Sequence, residues 1–171
     1  ADAGFDVLAH AAEGYVATNA GAVTDALAKD AFSVCFASLP ASFAGRQEVR
    51  LKVHLAATMA GVAFSQAGLG LCHAMAHALG GLFHVPHGRL NAILLPAVIG
   101  TNAHVAAGKF ARLARAAGMG GSADTVAVRN LRSSLIRLRS DLKLPGTLSA
   151  AGITPQALWS NMDSIVESTL A

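Results

Sequence analysis

Apolar positions recur along the chain with the spacing of α-helices, and signals for β-strands are nearly absent. Stretches that alternate apolar and polar residues are scarce, and alanine, the strongest helix former, dominates the composition. No internal repeat or low-complexity linker divides the sequence. The pattern therefore predicts a single all-α domain, a helical bundle spanning residues 1–171.

Prolines, glycines and capping residues set the expected helix boundaries. We expect Pro40 to end the second helix, His87-Gly88 to form a turn, and Pro96 to kink the helix that follows. Thr154 before a proline is typical of a helix start. The predicted helices cover residues 2–16, 21–39, 46–66, 72–82, 105–117, 122–140 and 154–169, and one more helix starts near residue 89.

The composition raises the question of a membrane span, because hydrophobic residues make up 53% of the chain and charged residues only 13%. No charged residue occurs from Val53 to Gly88, which is far longer than the roughly 20 residues that a span needs. That stretch is nevertheless rich in histidine, and alanine and glycine outweigh leucine and isoleucine in it. Because polar groups are costly in lipid, we expect packed helices and no membrane span.

The net charge of +3 is small, and the basic excess is concentrated in the predicted helix 122–140. No aromatic interleaving or known motif accompanies its four arginines, so a solvated face or an interdomain contact is favoured over nucleic-acid binding. These residues are Arg129, Arg132, Arg137 and Arg139.

The two cysteines, Cys35 and Cys72, form no spaced motif, and a chain of this size needs no disulfide. The N-terminal residues lack the basic and apolar regions of a secretory signal. We therefore expect reduced thiols and a cytoplasmic location.

Two distant segments carry candidate metal ligands. Asp6 and His10 are four positions apart, as are His73 and His77, and His87 follows the second pair in a Pro-His-Gly sequence. Positions i and i+4 lie on the same face of a helix, so each pair can bind one ion. A carboxylate with several imidazoles suits a divalent metal with an open coordination position.

The acidic residues restrict where an anionic ligand can come from. Six of the seven histidines lie between Glu48 and Asp124, an interval without any Asp or Glu. Asp6 is the most natural donor, and Glu13 is an alternative that could instead orient a ligand. Spacing alone favours His73 and His77 as the histidine pair but does not settle which histidine stays free. Ordinary polar roles are expected for three others, His54, His84 and His104.

These residues resemble the C-terminal helical domain of the iron-containing (group III) alcohol dehydrogenases, whose fold is similar to that of dehydroquinate synthase. That family carries a DxxxHxxE motif and a long GLGxxHxxAHxxG…PHG signature that runs into NAxxLP. The matching positions are Asp6, His10, Glu13, Gly68-Leu69-Gly70, His73, Ala76-His77, Gly80, Pro86-His87-Gly88, Asn91-Ala92 and Leu95-Pro96.

The resemblance implies a role for each candidate. It implies that Fe²⁺, with Zn²⁺ as the alternative, is held by four ligands, and that His77 lines the active site without binding the metal. Because His77 lies one helical turn from His73, we hypothesise that it shuttles a proton to solvent. The resemblance places Phe64 beside the substrate. The four implied ligands are Asp6, His10, His73 and His87.

The resemblance also implies an activity, the interconversion of a primary alcohol and an aldehyde with NAD or NADP. The family's N-terminal dinucleotide-binding domain is missing from this chain, so we expect the chain to be inactive alone and to need that domain as a partner. A homo-oligomer, such as a dimer, is also expected from the apolar composition. A non-catalytic metal-binding module, a glycerol dehydrogenase and a maleylacetate reductase are the alternatives.

Overall fold

The computed structural model describes residues 1–170, which form eight α-helices and no β-strand. Two short 3₁₀ helices at Gln47–Val49 and Ser149–Ala151 join longer elements. The all-α prediction is confirmed. The helices are α1 (Asp2–Val16), α2 (Ala22–Phe43), α3 (Arg50–Ala67), α4 (Leu71–Phe83), α5 (His87–Ala116), α6 (Asp124–Asp141), α7 (Pro155–Ser160) and α8 (Met162–Leu170).

Helix α1 is the centre of the bundle and has the predicted bounds. It packs against α2, α3 and α5, and most of its residues are buried, including Phe5 and Leu8. Its neighbour α3 faces the core with small side chains at Ala56, Ala60 and Ala63. Small residues let helix axes approach closely, so polar groups on α1 come near those of other helices.

The prediction that Pro40 ends the second helix is wrong, because α2 continues to Phe43. A proline removes only one backbone hydrogen bond, and here it lies in the last turn. The carbonyl of Pro40 accepts a hydrogen bond from Ala44 N at 3.0 Å, which closes the helix after the proline.

The turn predicted at His87-Gly88 is also wrong, since both residues lie in the first turn of α5. The chain instead reverses at His84, whose left-handed backbone (φ 54°, ψ 29°) ends α4. Pro86 then serves as the N-cap residue of α5. This places His87 on a helix, where its direction is fixed, instead of on a loop.

Helix α5 does not kink at Pro96 as predicted, whereas the helix predicted at 105–117 is confirmed as the segment that follows a break within α5. The non-helical backbone lies at Ala106 (φ −121°, ψ 18°). A proline deprives the carbonyl four residues earlier of its donor, and here Arg139 of α6 donates to that carbonyl, Ala92 O, at 3.3 Å. Arg132 donates to Pro96 O at 2.8 Å. Two of the four α6 arginines therefore bind the α5 backbone, while Arg129 and Arg137 are exposed.

The last predicted helix, 154–169, is two helices that break at Asn161. Its start is confirmed, because Thr154 Oγ1 accepts a hydrogen bond from Ala157 N at 3.2 Å and Pro155 is the first helical residue. Helix α8 packs against α4.

One helix within residues 1–170, α5, is long and apolar enough to cross a membrane by itself. The segments Gln47–Ala67 and Leu71–Phe83 meet the same criterion only together, across a bend of 101°. Such length and composition are also those of a core helix, and α5 packs along α1, α4 and α6.

Candidate metal centre

Helix α1 presents Asp6, His10 and Glu13 on one face, because their spacing of four and three residues returns to the same side of a helix. Glu13 is 3% exposed, whereas Asp6 and His10 are about one-fifth exposed. The three groups therefore form a row that runs from the protein interior toward the surface.

Glu13 binds the N-terminus of α4. Its carboxylate accepts hydrogen bonds from the backbone N–H groups of Gly70 (3.1 Å), Cys72 (2.7 Å) and His73 (3.2 Å). These are N–H groups without a partner inside the helix, and the helix dipole favours a negative charge there. A Cβ at Gly70 would lie 3.0 Å from Glu13 Oε1, so glycine leaves room for the carboxylate.

The same carboxylate orients His73. Glu13 Oε2 lies 2.8 Å from His73 Nδ1, and an ionised carboxylate can only accept, so Nδ1 carries the hydrogen and Nε2 is left for other partners. Burial raises the pKa of Glu13, but the hydrogen bonds from His73 and Cys72 outweigh burial and leave that pKa lowered. Burial likewise lowers the pKa of His73, but the carboxylates of Asp6, 3.6 Å away, and Glu13 outweigh burial and leave it raised.

His87 reaches Asp6 because α5 begins in direct contact with α1. A Cβ at Gly88 would overlap the backbone carbonyl of Asp2 and would lie 3.2 Å from Asp6 Cβ. Arg89 strengthens this contact with two hydrogen bonds to the Asp2 carboxylate, at 3.2 and 3.0 Å. The Pro-His-Gly sequence thus puts a histidine where two helices can touch.

Three of the expected ligands converge. Asp6 Oδ1 lies 3.6 Å from Nε2 of His73 and 3.6 Å from Nε2 of His87. One ligand atom from each of these residues lies within 4.8 Å of the others. Burial raises the pKa of Asp6, but the neighbouring imidazoles of His73 and His10 outweigh burial and leave that pKa lowered, so the carboxylate is ionised. One carboxylate and two imidazoles with Nε2 directed inward fit a divalent cation.

His10 lies beside this group. Its Nδ1 is 3.8 Å from Asp6 Oδ2, and its ring centroid is 4.3 Å from that of His73. Phe64 stacks on the His10 ring at 4.4 Å with an interplanar angle of 16°. Burial lowers the pKa of His10 and that of His87, more than Asp6 raises either, which favours the neutral imidazole that metal ligation requires.

His77 lies at the outer edge of the cluster. Its ring centroid is 4.7 Å from that of His87 and 6.4 Å from that of His73. The side chain is exposed and lines a cavity of about 300 Å³ with Gly80 and Val85. A small molecule in that cavity would contact His77 and His87 together. The remaining three histidines, His54, His84 and His104, are exposed.

Asn91 also contacts the ligands, although the sequence analysis identified it only as part of a matching motif and not as a polar contact of the site. It is fully buried, and its Nδ2 lies 2.6 Å from Asp6 Oδ1, 3.0 Å from His87 Nε2 and 3.3 Å from His73 Nε2. The available signal was an amide among apolar residues at the start of the helix, four residues after His87 and hence on its face.

The sequence as a whole matches a known family. The model for the C-terminal part of the Fe-containing alcohol dehydrogenase family matches residues 1–170. The chain is 43% identical over its full length to a 1-propanol dehydrogenase, PduQ, of Citrobacter freundii, and covers 48% of that protein. It is 39% identical to an NADPH-dependent butanol dehydrogenase of Clostridium saccharobutylicum, over 98% of the chain and 43% of the relative.

A solved structure agrees with the sequence relatives. The crystal structure of a 1,3-propanediol oxidoreductase superposes on 99% of this chain with a TM-score of 0.92 and 35% identity, and the match covers 44% of that chain. This chain therefore spans less than half the length of the proteins it matches.

Proposed function

Since the chain belongs to the Fe-containing alcohol dehydrogenase family and matches its C-terminal domain, we propose that it is the metal-binding, substrate-facing part of an enzyme that interconverts a primary alcohol and an aldehyde. The observation that carries the proposal is the convergence of ligand atoms from Asp6, His73 and His87 within 4.8 Å. The names of its relatives, dehydrogenases of butanol and 1-propanol, support the substrate class.

Asp6, His73 and His87 would hold a divalent ion, Fe²⁺ or alternatively Zn²⁺, with His10 as the fourth ligand through a small movement of its ring. When bound, such a cation makes an alcohol easier to deprotonate and polarises an aldehyde carbonyl. Glu13 contributes by fixing His73 Nδ1–H, so that Nε2 is the atom presented to the ion. The buried α4 N-terminus keeps Glu13 in place.

The substrate would lie on the exposed side of the cluster. Phe64, stacked on His10, offers an apolar wall, and the cavity beside His77 and His87 is open. Oxidising the alcohol transfers a hydride to the nicotinamide and releases one proton. His77 would carry that proton to water, since its side chain is exposed and its ring lies 4.7 Å from that of His87.

The role of His77 has its own test in an enzyme that contains both halves. We expect His77→Ala to lower kcat while metal content stays unchanged. Full activity of the variant across pH would rule out the shuttle.

The nucleotide would be held by another part of the protein. Residues 1–170 contain no strand that could carry a dinucleotide-binding turn, and the relatives are more than twice as long as the stretch they share with this chain. Leu51, Leu55 and Val62 form an exposed apolar stripe on α3. This stripe supports a contact with such a domain or with a second copy of the chain.

The activity can be tested with a chimera. We would fuse the N-terminal half of the Citrobacter freundii 1-propanol dehydrogenase to this chain, load the protein with Fe²⁺ or Zn²⁺, and measure oxidation of NADH and NADPH with propanal or butanal. We expect turnover that Asp6→Ala abolishes. A folded, metal-loaded chimera that reduces neither aldehyde, or whose turnover survives Asp6→Ala, would contradict the proposal.

A further inference from the structure

Asn91 is a buried amide at the point where three helices meet. It lies on α5, one turn after His87, in a segment whose neighbours Leu90, Ala92, Leu94 and Leu95 are all buried and apolar. Burying a polar amide is costly unless its hydrogen bonds are made. An amide in this position must therefore have partners nearby, and the metal centre supplies them.

The orientation of the amide follows from its neighbours. The Cys72 thiol donates to Asn91 Oδ1 at 3.4 Å, so the oxygen has a donor. The NH₂ group faces Asp6 Oδ1 at 2.6 Å and His87 Nε2 at 3.0 Å. Turning the amide over would put its oxygen against a carboxylate oxygen and an imidazole lone pair, which repel it. The hydrogens therefore face the ligands.

The NH₂ group of Asn91 has two hydrogens. Its two shortest contacts are to Asp6 on α1 and to His87 on α5. Without a donor between them, Asp6 Oδ1 and His87 Nε2 would face one another with lone pairs at 3.6 Å. A neutral NH₂ group bridges both without adding charge. The carboxylate oxygen keeps a second lone pair, so its bond to Asn91 leaves one lone pair for a cation. His87 Nε2 has a single lone pair, so it must release the Asn91 hydrogen when a cation binds.

We propose that Asn91 is a positioning residue of the metal centre. It holds the ligand atoms of Asp6 and His87 together before a divalent cation binds, and it keeps its bond to Asp6 once the cation has taken the lone pair of His87 Nε2. The inference rests on the proposed function in taking these two residues as ligands. It assigns Asn91 no contact with the ion or the substrate. Preorganisation raises affinity because less ordering is left to occur on binding.

The test compares metal binding by the 171-residue chain and its variants. Asn91→Leu keeps the branched shape and the number of side-chain heavy atoms and removes the donor. Asn91→Ala also removes the donor and, in an alanine-rich helix, is the variant that folds most readily. The control Asn102→Leu makes the same exchange about three turns further along α5, roughly 16 Å away. Folding is checked by circular dichroism, and binding by Co²⁺ absorption titration with Zn²⁺ competition.

We expect both Asn91 variants to bind Co²⁺ about 10- to 100-fold more weakly, as changes in groups that orient ligands do. We also expect the Co²⁺ visible bands to change in shape, since the Asp6 and His87 positions relax. Asn102→Leu should stay within twofold of the wild type. A folded Asn91→Leu or Asn91→Ala with wild-type affinity and an unchanged spectrum would overturn the inference and leave the proposed function standing. Absence of Co²⁺ binding by the wild type would instead overturn the proposed function.

Discussion

Glu13 Oε2 lies 2.8 Å from Nδ1 of His73, although the two residues are 60 positions apart in the sequence. This one contact joins α1 to α4 and determines which nitrogen of His73 faces Asp6. The same carboxylate accepts three backbone N–H groups at the start of α4. The position of the candidate metal centre therefore depends on a residue that does not face it directly.

The first prediction concerns Glu13→Gln. An amide can donate as well as accept, so it no longer requires a hydrogen on His73 Nδ1, and it lacks the charge that stabilises the α4 N-terminus. We expect Zn²⁺ affinity to fall by about 10- to 100-fold, measured by competition with a chromophoric chelator. Glu167→Gln, an exposed exchange on α8, is the matched control. Equal affinity in the two variants would contradict the orienting role.

The second prediction concerns Gly88→Ala. The added methyl would overlap the Asp2 backbone carbonyl and force α5 away from α1. We expect a loss of about 1–3 kcal/mol in the free energy of unfolding and a weaker metal site, measured by thermal denaturation and Co²⁺ titration.

Gly61→Ala provides the control for Gly88→Ala, because a Cβ at Gly61 in α3 meets nothing within 4 Å. We expect this variant to gain roughly 0.5–1 kcal/mol, since alanine favours the helix. If both alanine variants shifted the melting temperature upward, the α1–α5 contact at Gly88 would not be as close as described.

The third prediction concerns Arg139→Met. This exchange keeps much of the apolar stem and removes the donor to Ala92 O, the carbonyl left without a helical partner by Pro96. We expect a loss of about 1–3 kcal/mol, the cost of a buried acceptor without a partner. Arg137→Met on the same helix is the control, because Arg137 is exposed. Chemical denaturation with equal midpoints for both variants would show that Arg139 does not stabilise α5.

The fourth prediction concerns Cys35. Burial raises the pKa of this thiol to about 12, and its Sγ donates to Gly4 O at 3.4 Å. The folded protein therefore keeps the proton that the unfolded chain loses near pH 8.5. The neutral, buried thiol of Cys35 therefore contributes fully to the free energy of unfolding below about pH 8.5, and this contribution is lost as the pH rises toward 12.

The measurement for Cys35 compares the melting temperatures of the wild type and Cys35→Ala between pH 7 and 10. We expect the wild type to lose stability more steeply above about pH 8.5. Iodoacetamide at pH 8 should label Cys35 only after denaturation, because little thiolate is present in the fold. Rapid labelling of the native protein would be incompatible with this burial.

The fold class and α1 were predictable because local signals sufficed for them. Alanine content and helical periodicity do not depend on distant partners, and Thr154 caps the helix that follows it. The prediction at Pro40 was wrong because this proline lies in the last turn of its helix. The prediction at Pro96 was wrong because a residue from another helix compensates for the proline. Pro96 leaves one carbonyl without a donor, and an arginine 47 positions away replaces it, which no local pattern reveals.

The candidate site was predictable where it consists of motif residues and unpredictable where it depends on packing. Spacing indicated Asp6 and His73, the family resemblance implied His87, and the fold brings atoms of all three residues together. Spacing favoured His77 over His87 as the partner of His73, because it could not show that α5 begins at His87. The hydrogen bonds of Asn91 depend on three helices meeting, so its role has no signature within α5 alone.

The most direct test of the account is anomalous X-ray scattering at the iron and zinc edges from crystals of the chain loaded with Fe²⁺ or Zn²⁺. We predict one strong peak within coordination distance of Asp6 Oδ1, His73 Nε2 and His87 Nε2, with the His10 ring turned toward it. Loaded crystals with no peak there, or with metal bound only at other histidines such as His54 and His104, would contradict the assignment.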